Sequence, residues 1–210
     1  MFEFFIAAIV VAIAPGPDNL FVLAQSATHG TRAGLCVICG LCTGIVVQTC
    51  LLIAGVSALL AASPTAFFVL QCCGAAYLLY LAYKSFQVRA GTVVDKDPEL
   101  AEGSNGAGKL PGHKLYLRGI IMNLTNPKAV LFALSFIPPA VRMDSPLSPT
   151  VQMAILGAEF VVATFIVFGS VAFLAGTVKK FLLNSPKANR NLNWFSGCVF
   201  VLLAAALFLV

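Results

Sequence analysis

The residues able to do chemistry in this chain are few, and they interrupt apolar runs. Asp18 and Asn19 follow Ala14-Pro15-Gly16-Pro17 in the middle of the run from Phe2 to Ala27. Lys128 follows Asn126-Pro127 in a second run, and Gln48 and Glu159 each stand inside another. A charge at the centre of a membrane costs roughly 2.5–3.5 kcal/mol by insertion scales, and such residues commonly handle an ion or a substrate. Proline next to charge, twice, points to the binding and passage of a small charged solute. We assign no catalytic residue, cofactor or metal ligand, and read the chain as a non-enzyme.

Proline has no amide to donate to the carbonyl four residues back. Pro15 and Pro17 therefore strand the carbonyls of Val11 and Ile13, and Pro127 strands that of Asn123. Lipid cannot satisfy these groups, so each break must be enclosed by protein or line a wet cavity. The expected geometry is a pair of discontinuous helices. Gly16 caps a new half-helix that has Pro17 at its first position, and Asn126 caps another that starts at Pro127. Helix N-termini carry partial positive charge and free amides, which suit a carboxylate such as that of an amino acid. Asp18 is the candidate for the ammonium of the same molecule, against the simpler role of capping its own helix. Lys128 opposes the dipole of the helix it begins and so needs a partner. Asp18 is the expected one in the empty protein, to be released when substrate or a proton arrives.

In span two, Cys36, Gly40, Gly44 and Gln48 recur every four residues, one stripe of mostly small side chains. The glycines are read as helix-packing positions, and Gln48 as facing the cavity. Glu159 is either a proton carrier or a partner of Lys128. The candidate substrate site thus comprises Gly16, Pro17, Asp18, Asn19, Gln48, Asn126, Pro127 and Lys128, with Asp18 and Glu159 as candidates for proton coupling.

These residues need elements to hold them. With 60% hydrophobic and 10% charged residues over 210 positions, the composition is that of an integral membrane protein, since soluble chains are about 25% charged. Six apolar stretches are long enough to span, at approximately 2–27, 34–62, 65–88, 115–137, 149–177 and 192–210. A cleavable signal at Ala12-Ile13-Ala14 is disfavoured, because Glu3 stands where a basic residue belongs and Pro15 follows the cut.

The net charge of +5 is distributed unevenly. Arg32; Lys84, Arg89, Lys96, Lys109, Lys114 and Arg118; and Lys179, Lys180, Lys187 and Arg190 follow spans one, three and five, whereas Arg142 alone lies on the other side. The positive-inside rule puts both termini away from the cytoplasm. Basic clusters beside spans, without interleaved aromatics, do not indicate nucleic acid. The seven cysteines, including Cys36, Cys39, Cys42 and the adjacent Cys72 and Cys73, have no histidine near them, and are read as small packing residues rather than metal ligands or disulfides.

The segment "RAGTVVDKDPELAEGSNGAGKLPGHK", 89–114, reads as a solvated cytoplasmic linker between 1–88 and 115–210. The two halves share faint landmarks. Pro17-Asp18 corresponds to Pro127-Lys128, Gln48 to Glu159, and Gly74 to Gly197. Three spans per half is an odd number, so the repeat is inverted. The expected class is all-α membrane, six helices as a 3+3 inverted repeat with helices one and four discontinuous.

"APGPDN" at 14–19, the Gly40-x3-Gly44 stripe and "NPKAVLFALSFIPP" from Asn126 to Pro139 resemble the hallmark segments of the lysine exporter and homoserine/threonine efflux family. The resemblance covers essentially the whole chain. It implies a multi-pass exporter of amino acids or close derivatives in the bacterial cytoplasmic membrane, driven by proton antiport, with amino acid, protons and lipid as partners and homo-oligomer formation left open. Three other classes of protein fit the residues less well. A thiol electron carrier of similar plan needs cysteines at the breaks, and there are none. A metal-ion exporter needs more acids and imidazoles within its spans. A passive channel fits charged midplane half-helices less well than a binding-and-release cycle does.

Overall fold

The computed structural model describes residues 2–62, 64–87, 111–142, 144–175, 177, 186–206 and 208. The linker at 89–110, and with it Arg89, Lys96 and Lys109, lies outside the described residues, as do Lys179 and Lys180.

Among the described residues the protein is all helical, with eight helices and no strand. In chain order they are α1 (Phe2–Ile13), α2 (Pro17–His29), α3 (Thr31–Ala62), α4 (Pro64–Gln87), α5 (Gly112–Thr125), α6 (Pro127–Phe136), α7 (Pro149–Phe173) and α8 (Pro186–Ala206). Each apolar stretch read from the sequence is helical in its described part, and the first and fourth are split, as α1/α2 and α5/α6. Several boundaries differ from expectation by a few residues, and the start of α8 differs most. Helix α8 begins at Pro186 rather than near 192, because proline is well suited to a first helical turn even when the residues after it are polar. Helix α7 ends at Phe173, and beyond a turn at Leu174 the described residues Ala175 and Thr177 are again helical.

Among the described residues, Thr31–Gly55 and Pro149–Phe173 are each long and apolar enough to cross a membrane, and α1 with α2 makes a third such unit, bent by 62°. Phe2, Leu51, Phe173 and Leu202 are each about two-thirds or more exposed on the outer surface of the bundle. Water would make such an apolar exterior a severe liability. Lipid makes it the expected exterior of an integral membrane protein.

Helices α3 and α7 are the spine, packed on each other and reaching both ends of the bundle. Around one end of them, α2 and α5 bury Phe21, Val22, Leu115 and Met122 with Val37, Ile38 and Leu41 of α3 and Phe168 of α7. Around the other end, α1 and α6 bury Phe4, Ala8, Val11, Phe132 and Ala133 with Ile45 and Leu52 of α3 and Leu156 and Phe160 of α7. The two helix breaks lie at the boundary between these apolar layers. A third cluster, from α4 and α8, closes over Ala14 with Ala75, Leu78, Ala82, Phe200 and Ala204.

Helix α5 lies along α3, and α1 lies along α7. The first of these contacts is close enough to need glycine on both sides. A Cβ on Gly40 would collide with the backbone carbonyl of Tyr116, and one on Gly119 with that of Val37. One turn further, a Cβ on Gly44 would stand 2.7 Å from Asn123 Cβ. Gly30, with φ 86°, lets α2 turn directly into α3.

Candidate functional site

At the first break α1 ends at Ile13, the Ala14 amide just beyond it still bonds the Val10 carbonyl at 3.1 Å, and the helix resumes at Pro17. Gly16, the N-cap of α2, is extended and offers no side chain to the amides of the first turn. The carbonyls at the end of α1 find donors elsewhere. The Asn19 amide donates to Ala12 O at 2.8 Å. The Lys128 ammonium donates to Ala14 O at 2.9 Å and to Val11 O at 3.3 Å. The Val11 carbonyl that Pro15 leaves without its helical donor is therefore taken by a side chain from the second break.

The second break is a single residue. Asn126 adopts φ −76° and ψ 106°, and its side-chain oxygen accepts from the Lys128 amide at 3.0 Å, which caps α6. Its own amide donates back to Asn123 O at 3.1 Å. The expected Asn126 cap is present and takes the first free amide of α6. One expectation is corrected: the Asn123 carbonyl is satisfied locally, because Asn126 curls into a tight turn.

Asn126 also joins the two breaks, since its side-chain amide donates to Asp18 Oδ2. Asp18 and Lys128 are 4% and 8% exposed, so both belong to one buried site. Asn126 bridges them, its side-chain amide donating to Asp18 and its side-chain oxygen accepting from the Lys128 backbone amide. The contacts made by the ammonium, however, are to backbone carbonyls. The physical reason lies in the helix dipoles. Asp18 occupies the second position of α2, where the N-terminal dipole favours an anion. Lys128 begins α6, where a cation is disfavoured, and its side chain reaches the C-terminal end of α1, where a cation is favoured. Gly16 makes room for it: a Cβ there would stand 3.1 Å from Lys128 Nζ.

Helix register carries Gln48 toward the second break: Gly40 meets Gly119 and Gly44 meets Asn123, and Gln48 stands one turn further along α3. Gln48 is buried, and neither Oε1 nor Nε2 has a hydrogen-bond partner; Asn123 Oδ1 and Asn19 Oδ1 are in the same condition. A buried amide left this way costs about 1–3 kcal/mol. These unpartnered atoms, on Asn19 at the first break, Asn123 in α5 and Gln48 in α3, are groups that a ligand or water can satisfy.

Asn123 is the residue the sequence reading missed. Glu159 is half-buried and precedes Phe160, whose ring packs on Phe132 at 5.2 Å between centroids, while the hydrogen bonds of the Lys128 ammonium go to Val11 and Ala14. Its Oε2 has no hydrogen-bond partner. The seven cysteines are free thiols.

A broken helix whose exposed backbone is met by a buried Asp, Asn and Lys is the kind of site that membrane translocators place at the midplane. A family model described as LysE type translocator matches residues 9–210, and the chain belongs to that family. It is 30% identical over 206 residues, 98% of this chain and 94% of the relative, to a homoserine/homoserine lactone efflux protein of Salmonella typhimurium. It is 29% identical over 204 residues, 97% of this chain and 92% of the relative, to a leucine efflux protein of Salmonella choleraesuis. No solved structure matches it.

Proposed function

We propose that this protein exports an amino acid or a close derivative across the bacterial cytoplasmic membrane by proton antiport, with substrate bound where the two helix breaks meet. Family membership supports the class of activity. The single observation that carries the site is the joining of the two breaks by buried polar groups: Lys128 bonds the carbonyl end of α1, and Asn126 bonds Asp18.

In this reading the uncapped first turn of α2 and the Gln48 amide offer donors to a substrate carboxyl group, while Asp18 and the α1 carbonyls favour its ammonium. Asp18 and Glu159 are the acids available for proton coupling. The reciprocal packing of α1 on α7 and α5 on α3 supports six crossings arranged as two inverted halves. The basic loops support an orientation with both termini outside.

Gradient-driven transport is the test. The purified protein, reconstituted in vesicles, is loaded with a panel of labelled amino acids and lactones, with and without a pH gradient. Accumulation of at least one against its gradient, abolished when the pH gradient is collapsed, is the expected result. Flux that ignores the pH gradient removes proton coupling, and no flux of any of them removes the export reading.

A further inference from the structure

The substrates named for the two relatives are homoserine, its lactone and leucine. All three have a primary ammonium, but the lactone has no carboxylate. The recognition element common to them is therefore the cation. In this structure one place is already built for a primary ammonium, and a primary ammonium occupies it. Lys128 Nζ lies against Ala14 O and Val11 O, at the negative end of the α1 dipole. The Asp18 carboxylate is held by the side chain of Asn126, the residue that also takes the Lys128 amide, and Gly16 presents only hydrogen to the ammonium.

We propose that the carbonyl cradle of Val11 and Ala14, with Asp18 beside it, is a binding site for a primary ammonium ion, and that Lys128 is a tethered occupant which the substrate's ammonium displaces. The identity of the displacing ion rests on the export reading above; the existence of the ammonium site does not. The cradle selects by hydrogen-bond count. An R-NH3+ group has three donors to place on the carbonyls and on Asp18, whereas a quaternary ammonium of the same charge has none. The tether also has a mechanical effect. Lys128 belongs to α6 and its acceptors to α1, so an occupied cradle ties the second break to the first. Substrate entering the cradle releases that tie and leaves the Lys128 ammonium inside the site. A tethered competitor lowers apparent affinity by the fraction of time it occupies the site. Deleting it should therefore uncover ammonium binding that the native protein hides.

The test uses the full-length protein in detergent or nanodiscs and reads thermal unfolding in methylammonium chloride, tetramethylammonium chloride and sodium chloride at equal ionic strength. Lys128→Ala should unfold at a lower temperature than the native protein. Methylammonium should raise its Tm saturably, by roughly 2–4 °C for each kcal/mol recovered in a chain of this size. Tetramethylammonium should not raise it, and the native protein should respond to neither salt. If Lys128→Ala is too unstable to purify, the comparison is read as folded protein recovered from membranes of cells grown with either salt, where only methylammonium should raise the yield. Equal responses to the two ions, or no response to methylammonium, overturn the proposal. Such a failure alongside intact gradient-driven export would sink the ammonium site alone; failure of export with a clear methylammonium response would sink the export reading alone.

Discussion

The two helix breaks share a proline at the first helical position and a polar residue at the second, yet they are built in opposite ways. The first leaves Ala14, Pro15 and Gly16 outside any helix, bends the chain by 62° and places no side-chain cap on α2. The second leaves out Asn126 alone, which caps α6 with its side chain and returns its amide to Asn123. The first break is thus rich in unsatisfied groups and the second is nearly self-sufficient. What the second has to spare, the Asn126 amide and the Lys128 ammonium, it sends to the first. One break is a receptor, and the other supplies its resident ligands. Two similar motifs need not do the same work, because a cap on one side is enough to break the equivalence.

The largest effect should come from exchanging the charges. In Asp18→Lys with Lys128→Asp, a carboxylate would face the Val11 and Ala14 carbonyls and a cation would sit at the α2 N-terminus, so both dipoles would oppose it. Export should fall to background, and destabilisation on the order of 3–5 kcal/mol is expected from uncompensated buried charge. Near-normal export from this double variant in vesicles would mean that the two breaks are interchangeable, and would end the comparison.

Asn126→Ala removes both the α6 cap and the donor to Asp18. Loss of the cap costs about 1 kcal/mol, and loss of a hydrogen bond to a charged group costs about 1.5–3 kcal/mol more. Asn126→Ser can restore the cap but not the reach to Asp18, so its Tm should fall between native and Ala. If Ser and Ala behave alike, the link between the breaks contributes more than the cap does.

Gly16→Ala probes the receptor side alone. The new Cβ would lie 3.1 Å from Nζ, the far end of a flexible side chain, so the expected cost is about 1 kcal/mol. Export should weaken while expression stays near normal. A wholly inactive but folded variant would show that Lys128 has less freedom than a tethered occupant needs.

Gln48→Leu should cost the least stability, because its effect runs in the favourable direction. Removing a buried amide with no partner relieves about 1–3 kcal/mol, less whatever packing strain Leu introduces. A Tm at or above native together with reduced export would mark Gln48 as a ligand-binding group at the break. A lower Tm would mark it as structural.

Much of this architecture was legible in the chain. The apolar runs located the helices, and the two proline motifs located both breaks. Asn126 was readable as a cap because capping is a local rule spanning two or three residues. Asn123 was not, since it becomes part of the site only through the Gly40–Gly119 and Gly44–Asn123 register of α3 and α5. The partner of Lys128 was harder still. Its acceptors are backbone carbonyls 114 and 117 positions away, and a carbonyl carries no residue identity for a sequence pattern to reveal. Glu159 illustrates the reverse case. Its place inside an apolar helix draws attention, but the hydrogen bonds of the Lys128 ammonium go to Val11 and Ala14 instead.

The sequence by itself determined that this is a helical membrane protein, where its helices break, and which few polar residues are retained inside it, because hydropathy and proline stereochemistry act over short distances. Only the tertiary structure decided which charge meets which dipole. That depends on how closely α3 and α5 approach through their glycines and on which helix end faces which. Those two relations turn a lysine at an unfavourable N-terminus into the occupant of a favourable C-terminus.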